Sequence, residues 1–145
     1  MRAVIQRVGS ANVVVGGKQV ASIGKGVLVF IAFFPSDDSE KISWMTTKIL
    51  SLRIFPDDDG QMNKSLADVK GEVLVVSQFT LAADIKRGNR PGFSGAAQPE
   101  LARNLYTEFV SYFKENYTRV SSGKFGSDML VSLVNDGPAT FILDH

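Results

Sequence analysis

Hydrophobic and polar positions along the chain follow two periods. Residues 2–8 alternate, with Ala3, Ile5 and Arg7 on one side and Val4, Gln6 and Val8 on the other, which predicts a strand. Residues 12–15 and 19–23 are short β-prone runs on either side of Gly16-Gly17, the composition of a hairpin. After Gly24-Lys25-Gly26, the run GVLVFIAFF is apolar on both faces and predicts a central strand covered on both sides. Asp37, with Glu40 three residues later, has the form of a capping box. Ile42, Met45, Ile49 and Leu52 follow at helical spacing, so a helix is expected from about residue 38 to 52. Residues 53–55 leave it as a short strand and 56–60 form a turn. Residues 72–81 (EVLVVSQFTL) predict a second buried strand that ends in polar side chains. Residues 82–98 have no periodicity, and in a compact domain so long a loop is commonly functional. Pro99 suits the first turn of a second amphipathic helix carrying Leu101, Leu105, Phe109, Tyr112 and Phe113. Strands over 129–134 and 140–143, joined by a turn at 135–139, complete the pattern. With no repeat, low-complexity tract or linker, the whole of 1–145 is expected to be one compact α/β domain: a mixed, mostly antiparallel sheet packed with two main helices.

Composition narrows the function classes. Sixteen Lys and Arg against fifteen Asp and Glu give a net charge of +1, so any nucleic-acid contact must come from a local patch. The absence of cysteine excludes disulfides, thiolate nucleophiles and cysteine metal sites. The N-terminal residues lack the apolar stretch of a signal peptide, and the longest apolar run, residues 26–34, is too short to span a bilayer. A cytoplasmic location without a membrane partner is the expectation.

Common catalytic signatures are missing. His145, the only histidine, is the last residue, a poor place for a catalytic base. No HExxH, phosphate-binding loop or GxGxxG occurs. Asp57-Asp58-Asp59 reads as a solvated turn before it reads as a metal site, and neither metal nor cofactor is expected. Three segments remain. Ser77-Gln78-Phe79-Thr80 stands where an apolar strand emerges, a common place for ligands in α/β sheets, although a strand simply reaching the surface looks the same. Asn135-Asp136-Gly137-Pro138 is an ordinary turn composition, or else an X-Pro bond in the cis form that redirects the neighbouring carbonyls into fixed acceptors. Residues 85–99 hold Lys86, Arg87 and Arg90 with Phe93 and no acid, which suits a phosphate-and-base contact or a solvated loop.

Taken together, these segments resemble the bacterial-type D-aminoacyl-tRNA deacylases, the D-tyrosyl-tRNA deacylase family, along essentially the whole chain. The matching stretches are 5–8 (IQRV), 53–55 (RIF), 60–63 (GQMN), 73–84 (VLVVSQFTLAAD), 87–97 (RGNRPGFSGAA), 123–129 (GKFGSDM) and 131–141 (VSLVNDGPATF). SQFTL with NDGP is the specific combination; either alone is weak. Small departures are Gly92, Ala139 and Ser127, where Ser, Val and Ala are common in the family.

The resemblance implies a homodimer, joined through the sheet region, with each active site at the subunit interface. It assigns Ser77, Gln78, Phe79 and Thr80 to the catalytic pocket. Gly137-Pro138 corresponds to a Gly-cisPro motif that enters the partner's site as a chirality filter. Phe125 and Met129 are implied to line the pocket, and Arg7 to hold the Gly-Pro loop. The implied substrate is the 3′ end of aminoacylated tRNA, D-aminoacyl and glycyl, with no DNA partner. The implied role is translation quality control.

Without a thiol or a plausible histidine base, positioning by backbone N–H groups near Phe79 and Thr80 is the favoured chemistry. Water, oriented by the ribose 2′-hydroxyl or by Thr80, would attack. A general esterase with Thr80 or Ser77 as covalent nucleophile, and an RNA-binding module without catalysis that uses the 86–90 loop, stay open as alternatives.

Overall fold

The architecture follows from two strands that are apolar on both faces. A computed structural model describes residues 1–86 and 88–145. In chain order these form β1 (Arg2–Val15), β2 (Lys18–Ile23), β3 (Gly26–Ala32), α1 (Ser39–Ser51), β4 (Phe55–Pro56), β5 (Met62–Lys64) and β6 (Glu72–Ser77). A short 3-10 turn (Phe79–Ala82), α2 (Pro99–Asn116), β7 (Val120–Ser122) and β8 (Leu130–Asp144) follow. The main sheet runs β2-β1-β3-β6-β7, with β8 also paired to β1. The β1 pairings with β2, β3 and β8 are antiparallel, and β3–β6 and β6–β7 are parallel. The chain is one compact unit with a mixed sheet and two helices, as its pattern predicts.

One face of β3 and β6 packs Val27, Val29, Ile31, Val73 and Val75 against Ile42, Met45 and Ile49 of α1 and Leu105, Phe109 and Phe113 of α2. The opposite face packs Leu28, Leu74 and Val76 against Val8, Ala11, Val13 and Ile23. The central strands are therefore covered on both sides, and the second cover is the sheet's own curled edge.

That curl depends on a bulge. Ala3 and Ile5 face the helices, whereas Ala11 and Val13, of the same parity, face the second core. A one-residue slip reverses which face a side chain occupies. The β1–β8 register shifts between Val8 and Ser10, where the exposed Gly9 is the extra residue. The sequence pattern breaks here, so it predicts two strands; the structure has one continuous bent strand.

Other boundaries move for local reasons. The helix cap is Asp38, whose Oδ1 accepts from the Lys41 N–H at 3.0 Å, and not Asp37. Asp37 is buried and accepts from the Phe34 N–H and the Met1 ammonium, each at 2.7 Å. Replacing Asp37 with Asn removes the carboxylate beside that ammonium and leaves it the His145 oxygen as partner. It is expected to lower stability by about 3 kcal/mol in urea unfolding, and an unchanged midpoint would refute this role.

Asp57 spends its carboxylate on the turn between β4 and β5, accepting from the N–H groups of Gln61 and Asp59 and from the Asn63 amide. These bonds, that from Gln61 first, hold it below the ordinary carboxylate range. β6 stops at Ser77, four residues earlier than its apolar run suggests, because the chain turns sharply at Phe79. In α2, Leu101 is exposed, and Tyr112 is half-buried with its hydroxyl 2.6 Å from Ser43 Oγ. β8 is a single strand rather than two, with an internal bulge described below.

Candidate active site

The polar residues that close β6 open onto a cleft of about 510 Å3. Its floor is Ile31 to Phe33 and Val76 to Phe79, at the carboxyl ends of the parallel pair β3 and β6. Its walls are Ala96, Ala97, Pro99 and Ala102 on one side and Phe125 to Met129 on the other. Ligands commonly bind at such strand ends, and a cleft of this volume suits a small organic ligand.

The floor is held by backbone bonds. Gln78 N donates to Ile31 O at 2.8 Å, so the chain leaves the strand while still tied to β3. The first bond of the following turn is Leu81 N to Gln78 O at 3.1 Å. The N–H groups of Phe79 and Thr80 precede it and have no acceptor inside the turn. The Gln78 amide lies 2.6 Å from Thr80 Oγ1, which orients the hydroxyl. In either orientation of the amide, a carboxamide is not a proton acceptor of useful strength.

Tyr106 fixes the wall. Its buried hydroxyl donates to Val75 O at 3.0 Å and Gly123 O at 3.2 Å, and its ring lies 5.6 Å from that of Phe125. Burial pushes the phenol well above its ordinary value, so it stays protonated. A Cβ at Gly123 would stand 2.8 Å from Met129 Sδ, so the thioether of Met129 would have to move to admit one.

Ser77, Gln78, Phe79, Phe125 and Met129 thus meet in one cleft. Thr80 is not among the residues lining it; it lines an adjacent groove with Arg2, Phe34, Asp84, Phe93, Ile142 and Asp144. Phe79 is exposed and packs against Phe93 at 5.0 Å, which ties the 82–98 loop to the motif. Asp84 and Gly92 exchange both backbone bonds and pinch that loop at its base. Lys86 and Arg90 lie exposed beyond the pinch, and Arg87 lies outside the described residues.

Arg7, Gly137 and Pro138 form a second constellation. In the β1–β8 ladder Gln6 pairs with Thr140 and Val8 with Asn135, so residues 136–139 bulge outward. The Gly137–Pro138 peptide is cis, and both residues are exposed. Arg7 is nearly buried and reaches the bulge base. Its Nε donates to Asp136 O at 3.0 Å and pairs with that residue's carboxylate, and Nη1 donates to Ile54 O. The Asn135 amide donates to Arg7 O at 2.9 Å and to Ala139 O at 3.5 Å. The sequence marks Asn135 only as part of the NDGP segment; its bracing bond is not legible there, because the partner lies 128 positions away.

The two constellations are apart in one chain. Arg7 is level with Val27 and Val73; Ser77 is four residues further along, and three strand spacings separate β6 from β8. At ~3.3 Å per residue and ~4.8 Å per strand the gap is on the order of 20 Å.

Comparison with known proteins decides the family. Residues 4–144 match the family described as D-Tyr-tRNA(Tyr) deacylase. The chain belongs to the D-aminoacyl-tRNA deacylase family. A D-aminoacyl-tRNA deacylase of Pelobacter propionicus is 54% identical over 145 residues, covering 100% of both chains. That of Syntrophobacter fumaroxidans is 53% identical, covering 99% of this chain and 97% of its own. A solved structure named c-Myc DNA Unwinding Element Binding Protein is 40% identical and superposes with a TM-score of 0.95, covering 100% of this chain and 99% of its own. A probable eukaryotic D-amino acid tRNA deacylase, 20% identical, shares the fold with a TM-score of 0.86 over 99% of this chain and 98% of its own. Members of the deacylase family are hydrolases of the ester bond of aminoacyl-tRNA. Among the described residues, no helix is long and apolar enough to cross a membrane.

Proposed function

We propose that this deacylase acts as a two-fold homodimer in which the Gly137-Pro138 bulge of one subunit completes the cleft of the other. D-aminoacyl-tRNA and glycyl-tRNA are its substrates, and L-aminoacyl-tRNA is spared. The carrying observation is geometric: an exposed bulge, braced by Arg7 and Asn135, lies far from the cleft of its own chain. The outer face of β8 supports the pairing. Leu130, Val134 and Ile142 along it are 74%, 63% and 66% exposed, more apolar surface than one strand leaves in water without a partner. A two-fold contact would bury the same patch on both subunits.

In the assembled site the carbonyls of Gly137 and Pro138 would hold the substrate's α-ammonium. An L side chain then collides with the bulge backbone, a D side chain points outward, and glycine has nothing to collide. Discrimination rests on a clash, so the identity of the D side chain matters little. The N–H groups of Phe79 and Thr80 would stabilise the oxyanion of the tetrahedral intermediate. The ribose 2′-hydroxyl would orient the attacking water, which also restricts the enzyme to RNA esters. The cellular role in this reading is cytoplasmic translation quality control.

Subunit mixing tests the assembly. A Phe79→Pro protein, which lacks that residue's backbone N–H at the first position of its turn, and a Gly137→Val protein are each expected to be nearly inactive. A Cβ at Gly137 would already stand 2.8 Å from Asn135 Oδ1. After exchange, about a quarter of wild-type activity should return, since half the dimers are mixed and each has one intact site. A fully active monomer, or no recovery from mixed dimers, would sink the shared-site reading.

A further inference from the structure

The cleft's rim carries a cation that the mechanism above leaves without a role. Arg103 is exposed on α2, one residue beyond the wall residue Ala102. Its guanidinium carbon lies 4.9 Å from the centre of the Phe125 ring. Its Nη2 comes within 3.6 Å of the position a Cβ at Gly126 would take. Phe125 and Gly126 both line the cleft. Phe125 is in turn backed by Tyr106, whose hydroxyl is tied to two backbone carbonyls, so the cation rests on a fixed ring. Among the described residues Arg103 has no carboxylate within 4.0 Å, whereas Arg2, Arg7 and Arg119 each have one.

A guanidinium lying on an aromatic face is held without consuming its N–H donors. Its edge stays available for the two oxygens of a phosphate, the bidentate geometry that arginine serves better than lysine. A surface arginine can also do no more than cover a ring with its stem. The position on the rim favours a ligand, because the chemistry of the substrate places an anion there. The cleft's volume of about 510 Å3 lies within the range of small-molecule sites, and we take it to hold the aminoacyl group with one nucleoside. With the ester at Gln78 and Phe79, the terminal nucleoside fills the remaining space. The phosphodiester on its 5′ side is then the first fixed negative charge outside.

The geometry points to Arg103 as the residue that binds the phosphodiester on the 5′ side of the terminal nucleoside, with Phe125 as its platform. This assignment rests on the deacylase reading of the cleft. It differs from a contact through Lys86 and Arg90, which sit beyond the pinched loop and would meet more distant parts of the tRNA.

The test compares two substrates with the full-length protein: D-aminoacyl-tRNA, and 3′-O-(D-aminoacyl)adenosine, which has the ester but no phosphate. Arg103→Gln is expected to raise KM for the tRNA substrate on the order of tenfold to a hundredfold, the usual cost of one charged hydrogen-bonded contact. The loss on the nucleoside ester should be at least tenfold smaller. Arg103→Lys should recover part of the difference, as a point charge without the fork. The slope of log kcat/KM against log salt for tRNA should become shallower by about 0.7 in Arg103→Gln. Equal losses on both substrates would make Arg103 a mere support for Phe125 and overturn the assignment, as would no loss on either. If the wild-type protein itself cleaved D- and L-esters alike, the deacylase reading would fall together with it.

Discussion

Arg7→Ala is expected to lower kcat/KM for D-aminoacyl-tRNA about a hundredfold or more, and to erode the preference for D over L in the residual activity. Arg7 is nearly buried, and its guanidinium is divided between Asp136 O, the Asp136 carboxylate and Ile54 O. It thereby ties the bulge base to the segment before β4. Without it the bulge keeps Asn135 as its brace, and the Ile54 carbonyl loses its partner. A misplacement of ~1 Å in a group that positions a substrate commonly costs about 10²-fold. Arg7→Lys should rescue poorly, because a single ammonium cannot serve acceptors that the planar fork reaches from three nitrogens. Light scattering and circular dichroism must accompany the assay, since the same substitution removes buried hydrogen bonds. A folded, dimeric Arg7→Ala protein with wild-type rate and stereoselectivity would contradict the bracing role.

The second large effect falls on the substrate. A D-aminoacyl-tRNA ending in 2′-deoxyadenosine, with the ester still present, should react about 10²–10³-fold more slowly, while Thr80→Ala keeps substantial activity. Thr80 lines the groove beside the cleft, its Oγ1 accepts from the Gln78 amide, and among the described residues no hydrogen bond from its hydroxyl to a carboxylate is formed that would activate it as a nucleophile. The backbone N–H of residue 80 survives the substitution. The reverse outcome would return Thr80 to the chemistry: a dead Thr80→Ala protein with its dimer and tRNA binding intact, and a deoxy substrate cleaved normally.

Much of the fold was legible because burial leaves periodic marks. GVLVFIAFF is apolar on both faces since β3 has the helices on one side and the curled sheet edge on the other. Ile42, Met45 and Ile49 mark α1 because one stripe of it is buried. The misses are places where a distant partner decides. Asp37 and Asp38 look alike locally; the N-terminus, folded back against α1, separates them. Asn135 to Pro138 has turn chemistry, yet Arg7 and Asn135 hold it as a bulge inside one strand. β7 is three residues long and shows no period.

The site was legible in the same uneven way. Polar residues ending β6 marked the cleft floor, whereas the walls from α2 and from residues 125–129 meet it only through tertiary packing. That Thr80 lines the neighbouring groove rather than the cleft, and that the bulge lies on the order of 20 Å from it, follow from the turn at Phe79 and the strand order.

Hydrolysis of matched D-tyrosyl-, L-tyrosyl- and glycyl-tRNA by the purified protein is the most direct test of the central claim. The D-tyrosyl and glycyl esters should be cleaved rapidly, and the L-tyrosyl ester should decay no faster than it does in buffer. Comparable enzymatic cleavage of the two tyrosyl enantiomers would contradict the account.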